Sequence, residues 1–169
     1  MSDWDEPRRK TIEWYDPRVT AAGAVDRSGR EFLHELLEGR LPAPPIMSLI
    51  GGTLVSVGDG EVHLRCAPDE STYNPIGMVH GGLLCTLLDS AAGLAVHSRL
   101  PVGASYASIE IKVSFLKALQ GDGRVIDAYG RVQRVGRRVA FAEAEARNGG
   151  GELVGHATSS MAITMPSGD

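Results

Sequence analysis

Cysteine is scarce in this chain. Cys66 and Cys85 are the only two, and they form neither a CxxC pair nor a zinc-ligand spacing. That excludes a disulfide scaffold and a cysteine-built metal centre, and both read as small, buried, reduced hydrophobes. Long hydrophobic runs are missing too. The longest apolar stretch, residues 83–96, is interrupted by Thr86, Asp89 and Ser90, and it is shorter than the roughly 20 residues that span a bilayer. The N-terminus, MSDWDEPRRKTIEWYDP, lacks the apolar segment of a secretory leader, so a soluble cytoplasmic chain is expected. An excess of positive charge is likewise absent: 17 Lys and Arg stand against 21 Asp and Glu, a formal net charge of -4. Such a chain has no general attraction for nucleic acid or an anionic membrane, and an anionic ligand would need a local basic site. No GxSxG, GxxxxGK[ST] or post-strand GxGxxG is present. His34, His63, His97 and His156 are scattered without metal-ligand spacing, so no metal is expected.

What is present suits one domain with a single core: 169 residues, 43% hydrophobic and 22% charged. Residues 1–30 are charged and weakly patterned and read as an arm, laid on the surface or on a neighbouring subunit, ahead of a domain at 31–169. Phe32, Leu33, Leu36 and Leu37 fall at helical spacing before Gly39, and the Pro-rich segment 41–49 can open a short second helix at Ile46. Strand signals follow at 53–57 and 61–67 around Gly58-Asp59-Gly60, which reads as a hairpin. Residues 68–79 read as a loop. Residues 80–98 read as one long helix, apolar nearly all round and therefore buried. Along 108–115, Ile109, Ile111, Val113 and Phe115 share one face and Ser108, Glu110, Lys112 and Ser114 the other. Three more strands are predicted at 124–135, 138–147 and 152–165. In one of them Ala140, Ala142, Ala144 and Ala146 form a face of small side chains that lets a helix approach closely. A hairpin, a buried helix and a run of antiparallel strands predict an α+β fold in which the sheet curls round one central helix.

The polar groups of residues 74–89 each need a reason. Gly81 and Gly82 fall in the first turn of the long helix, where glycine leaves the unpaired backbone N–H groups accessible. Those groups and the helix dipole favour an oxygen that is gaining negative charge. Asp89 lies within an otherwise apolar helix, so it needs a partner, a cleft or a raised pKa. Seven residues separate it from Gly82, a rotation of about 700°, so the two share a face, roughly 10 Å apart along the axis. A reacting carbonyl lies within about 3–3.5 Å of its nucleophile, and cannot touch both groups of one helix. If both act, Asp89 of one subunit meets the helix start of another, which points to a symmetric dimer. Read singly, Gly81-Gly82 is packing, His80 is a capping or core histidine, and Asn74-Pro75 is a turn.

Together, Asn74, Gly77, His80-Gly81-Gly82 and Asp89 resemble the signature of the phenylacetic-acid-degradation (PaaI-like) thioesterases of the hot-dog superfamily. Gly136-Arg137-Arg138-Val139-Ala140-Phe141 and Gly155-His156-Ala157-Thr158 resemble that family as well, and the likeness spans about residues 32–164. The resemblance implies a hot-dog fold with an N-terminal helical extension, and an enzyme that hydrolyses the thioester of an aromatic or short- to medium-chain acyl-CoA. It implies that the N–H of Gly81, aided by Gly82, polarises the carbonyl, and that Asp89 of the partner chain acts as general base or nucleophile. Asn74 would position water or the carbonyl, His80 would orient Asn74 or the turn, and Ser108 would assist Asp89, with Ser105 a competitor for that role. Gly77 and Gly82 would lie along the substrate. No cofactor is implied, coenzyme A being part of the substrate, and a homodimer or homotetramer is expected. For the phosphates of coenzyme A, Arg134, Arg137 and Arg138 bracket Gly136 and suit bidentate contacts. If strand-like, Arg137 and Arg138 point to opposite faces and only one reaches ligand.

Two other readings fit the same fold. A hydratase or dehydratase uses Asn-Pro closely followed by His, whereas His80 comes five residues after Pro75 and precedes two glycines. A non-catalytic acyl-CoA sensor would dispense with the acid, and this chain has Asp89.

Overall fold

The computed structural model describes residues 6–166, so the first five residues of the arm and the last three of the domain lie outside the described residues. Among the described residues, four α-helices and six strands follow in the order α1 (Pro17–Ala22), α2 (Gly29–Leu37), α3 (Pro45–Ile50), β1 (Gly52–Val57), β2 (Glu61–Cys66), α4 (Gly81–His97), β3 (Ser105–Phe115), β4 (Ile126–Val135), β5 (Val139–Asn148) and β6 (Leu153–Thr164), with one 3-10 turn, Glu70–Thr72, ahead of α4. The strands form one antiparallel sheet in the order β1-β2-β4-β5-β6-β3. The expected architecture is therefore present, with β2 to β6 all packed against α4.

Small side chains bring sheet and helix together. Ala128, Ala140, Ala142, Ala144, Ala146 and Ala157 are buried on strands that pack against α4, whose Ala91, Ala92 and Ala95 are buried as well. At Gly130 the approach is closest: a Cβ there would stand 2.0 Å from the Ala91 carbonyl oxygen, so any side chain would push β4 off the helix. The β1–β2 hairpin forms at the predicted turn, with Gly60 at φ +79. Its N–H donates to Ser98 Oγ at 2.9 Å, which ties the hairpin to the end of α4.

Helix α1 was not anticipated. Asp16 caps it by accepting from Arg18 N, and Pro17 at the first position supplies a preset φ. The helix is tied to the domain, because Thr20 is buried and its hydroxyl donates to the Pro42 carbonyl. Helix α2 begins at Gly29, three residues ahead of the apolar spacing that opens at Phe32, because Ser28 and Glu31 form a capping box. The preceding arm runs across its own chain: Lys10 pairs with Asp69 at 2.6 Å and Arg8 pairs with Glu70.

Two features of the sheet depart from the simple pattern. Strand β3 starts at Ser105 rather than 108, and its pairing with β6 slips between Ser108 and Glu110. Ile109 is the extra residue of a β-bulge, and it points outward with 60% of its surface exposed. The bulge resets the alternation. Tyr106 and Ser108 before it, and Ile111 and Val113 after it, face the helix side together. The predicted assignment of Ser108 to the face opposite Ile111 is thus overturned by a one-residue insertion.

Helix α4 is also less enclosed than predicted. Leu83, Leu84, Leu87, Leu88, Ala91, Ala92, Ala95 and Val96 are buried, yet Gly82 is exposed and Cys85, Thr86, Asp89 and Ser90 are only half-buried. The curled sheet leaves this stripe uncovered. Cys66 alone matches the buried thiol that was expected; burial pushes its pKa up to about 11, and its Sγ lies 3.0 Å from the Ile50 carbonyl oxygen.

Candidate active site

The uncovered stripe of α4 carries the chemistry at both ends. At its start, His80 is the N-cap: its backbone is extended and its Nδ1 accepts from Gly82 N at 2.8 Å. That bond uses the N–H of Gly82. The N–H of Gly81 has no hydrogen-bond partner among the described residues, so it is the donor that the helix start presents outward. Both glycines sit in close contact with a side chain. A Cβ on Gly81 would stand 3.1 Å from the Phe115 ring, and one on Gly82 would stand 2.9 Å from His80 Nδ1.

Asn74 sits in the loop that leads to this helix. Its Oδ1 accepts from Ile76 N at 3.1 Å and Met78 N at 3.0 Å, and its own N–H donates to the Met78 carbonyl at 2.8 Å. The turn this closes passes through Gly77 at φ +77, a left-handed conformation that suits glycine. Asn74 therefore shapes the loop with its carbonyl oxygen and keeps its NH2 group for other partners. His80 is held to the same loop through its backbone N–H, which donates to the Thr72 carbonyl at 2.9 Å. Of the two expected tasks, orienting Asn74 or orienting the turn, His80's bonds bear on the turn and the helix cap.

Two turns further along α4, Asp89 projects into a cleft. Ser108 Oγ donates to its Oδ1 at 2.9 Å, while Oδ2 has no hydrogen-bond partner among the described residues. Ser105, the competitor, lies exposed at the beginning of β3, opposite Thr164. Asp89 thus meets its requirement through a partner and a cleft.

Behind Asp89 and Ser108 opens a cavity of about 410 Å3, a volume ordinary for a small-molecule site. It forms at the seam of the curled sheet, where β1 runs beyond α4 and helices α2 and α3 cover the gap. Leu36, Ala43, Pro44, Ile46 and Met47 line one side, and Leu54, Leu64 and Leu94 the other. Asp89, Ser90, Thr53, Tyr106 and Ser108 supply its polar groups. Helices α2 and α3 thus line the cavity, and the Asn74 loop does not.

Arg137 and Arg138 lie in the β4–β5 turn, ahead of the first residue of β5. They are not strand-like, so the expected opposition of their side chains does not arise. Both border one open surface depression with Ile163, Thr164 and Met165. The pairing of Ala140 with Met161, and of Met161 with Ser108, places this turn at the Asp89 end of the sheet. Arg134 does not border that depression.

The edge strand β3 leaves one long side unpaired. Ile109 and Leu116 along it and Phe115 beside Gly81 are more than half exposed. No helix of the described residues is long and apolar enough to cross a membrane.

Known proteins resemble this chain in sequence and fold. The family model for the thioesterase superfamily matches residues 76–155. Acyl-coenzyme A thioesterase 13 of Homo sapiens is 30% identical over 118 residues, covering 69% of this chain and 82% of that protein. A protein of Halobacterium salinarum, provisionally assigned as an esterase, is 42% identical over 103 residues, covering 58% of this chain and 66% of that protein. Among solved structures, a phenylacetic acid degradation-related protein of Ralstonia eutropha JMP134, provisionally assigned as a thioesterase, superposes with a TM-score of 0.70 at 28% identity, covering 76% of this chain and 97% of that one. A thioesterase-class protein of Streptococcus pneumoniae TIGR4, solved with coenzyme A, superposes with a TM-score of 0.62 at 28% identity, covering 67% and 85%.

Proposed function

The chain belongs to the thioesterase superfamily and is a thiolester hydrolase of the hot-dog fold, and on that premise we propose that it hydrolyses acyl-CoA at composite sites shared by two subunits. The observation that carries this reading is the pairing on one exposed helix stripe of an unpartnered Gly81 N–H with a cleft carboxylate held by Ser108. Across a two-fold axis the two α4 stripes run in opposite directions, so Asp89 of one subunit faces the partner subunit's Gly81. The unpaired edge of β3, with Ile109 and Leu116 exposed beside it, supplies a surface for such a dimer.

In each site the Gly81 N–H and the helix dipole stabilise the thioester oxygen as it becomes an oxyanion. Asp89 takes a proton from water through the oxygen that Ser108 leaves unoccupied, and that water attacks the carbonyl carbon. The tetrahedral intermediate collapses with loss of the C–S bond, giving the free acid and the coenzyme A thiol. Asn74 holds the loop ahead of the helix and offers its NH2 to the water or carbonyl. The acyl group occupies the apolar cavity behind Asp89, and Arg137 and Arg138 contact phosphate of the coenzyme. The coenzyme A bound to the Streptococcus pneumoniae structure supports this choice of substrate.

Thiol release from a panel of acyl-CoA esters tests the reading. Hydrolysis is expected for uncharged acyl groups, because the distal lining of the cavity holds no charged residue. Replacing both Arg137 and Arg138 by Ala is expected to raise KM about ten-fold for acyl-CoA and to leave the hydrolysis of acyl-pantetheine unchanged. Hydration of crotonyl-CoA without thiol release would instead place the chain with the hydratases.

A further inference from the structure

The acyl cavity is bounded by opposite edges of the sheet. Ser108, the partner of Asp89, belongs to β3 and Gly52 belongs to β1. These strands stand at the two ends of the strand order, yet both residues line the one cavity. The curl of the sheet brings the two edges round α4 until they border a common space. Asp89 therefore marks one end of the cavity. Helix α3, which packs on β1, closes the other and contributes Met47 to the lining.

Met47 owes its position to Gly52. A Cβ at Gly52 would stand 2.7 Å from Met47 Sδ and 3.3 Å from Ile50 Cγ1, so the thioether occupies the recess that the missing side chain leaves. The local backbone holds the two together. Gly51 ends α3 with its N–H on the Met47 carbonyl, and β1 begins at the next residue. Met47 is 7% exposed and Ile50 6%. In a close-packed interior a displaced side chain moves only into space, and the open volume that Met47 borders is the cavity. Between Asp89 and this end, Leu36, Leu54, Leu64 and Leu94 present aliphatic walls. Methionine, unbranched and soft, suits contact with the end of an alkyl chain.

Building on the acyl-CoA reading, we propose that Met47 is the specificity-determining residue that ends the acyl pocket and sets the longest straight aliphatic chain accepted, with Gly52 as the positioning residue that holds it back. Each methylene buried on the way to Met47 raises kcat/KM about four-fold. A chain that extends past that point meets the thioether and gains nothing further.

The test measures kcat/KM across straight-chain acyl-CoA esters from butyryl to palmitoyl in the wild-type chain, Met47→Ala, Gly52→Ala and the double variant. The wild-type chain is expected to show an optimum length. Met47→Ala, which removes the thioether from the end wall, is expected to move that optimum about two carbons longer, so that the longer ester gains about ten-fold over the old optimum. Gly52→Ala is expected to push Met47 into the cavity and move the optimum shorter. The double variant should keep the longer optimum of Met47→Ala, because the added methyl group then has no thioether to displace. If Gly52→Ala does not fold, Met47→Val replaces it and is expected to lengthen the optimum by less than Met47→Ala. An equal loss at every length in Met47→Ala would assign Met47 to packing and overturn the proposal. So would a Gly52→Ala shift that is as large without Met47 as with it. Thiol release with no optimum in the wild-type chain overturns the proposal and leaves the acyl-CoA reading standing. Release from none of these esters overturns the proposal, and release from no aromatic acyl-CoA either overturns the acyl-CoA reading as well.

Discussion

Asp89→Asn is expected to lower kcat/KM for acyl-CoA by about 100- to 10,000-fold, the range associated with removal of a positioned general base. The substitution preserves shape, and the amide oxygen still accepts from Ser108, which holds the carboxylate at 2.9 Å in the native chain. Asp89 is half-buried and makes no ion pair among the described residues, so the fold loses little. Thermal unfolding should stay within a few degrees of the wild type while thiol release collapses. Retention of full turnover by this variant would remove Asp89 from the chemistry.

Gly81→Pro is the second large effect, and it acts at the opposite end of the same helix stripe. Proline deletes one backbone N–H, the donor assigned to the oxyanion, and is otherwise favoured at the first position of a helix. The preceding residue also accommodates it, because His80 has φ -67 and ψ 135, the extended conformation that a residue before proline adopts. The neighbouring Phe115 ring, 3.1 Å from where a Cβ would sit, shifts by a few tenths of an ångström at a side chain that is more than half exposed. Loss of one oxyanion donor costs about 100- to 1,000-fold in kcat. KM is expected to change little, since the donor acts on charge that develops in the transition state. A variant that folds and keeps its kcat would place the oxyanion elsewhere.

Residues 74–89 were informative before any coordinates because each of their oddities has a local cause. Glycines at a helix start, a carboxylate in an apolar helix and an Asn-Pro turn are all set by short-range chemistry, and the structure places each on the predicted element. What could not be read required long-range pairing. The bulge at Ile109 exists because β3 pairs with β6, and without it Ser108 reads as facing away from Asp89. The stripe bared on α4 depends on how far the sheet curls, whereas the helix by itself reads as apolar nearly all round. The cavity brings residues of α2, α3, β1, α4 and β3 together, a set that no local pattern unites.

Local signals were also overlooked. Asp16-Pro17 announces α1 by the same capping rule that identifies other helices, and the Ser28–Glu31 capping box sets the start of α2. Each lies in the charged N-terminal stretch, where the missing hydrophobic periodicity hid it. Arg137 and Arg138 were expected to diverge if strand-like, and that condition is not met: β5 begins only at Val139, because Gly136 N donates to the Val139 carbonyl at 2.9 Å and closes the turn around them.

Asp89→Asn and Gly81→Pro damage the two different half-sites that one subunit contributes, so mixing the two inactive chains distinguishes shared sites from self-contained ones. Unfolded together and refolded at equal concentration, half of the dimers would be mixed, and each mixed dimer would hold one site with an intact Asp89 from one chain and an intact Gly81 N–H from the other. Thiol release should then recover to about a quarter of the wild-type rate, from a starting level at least about 100-fold below it. Activity that stays at the level of the two separate variants would contradict composite sites.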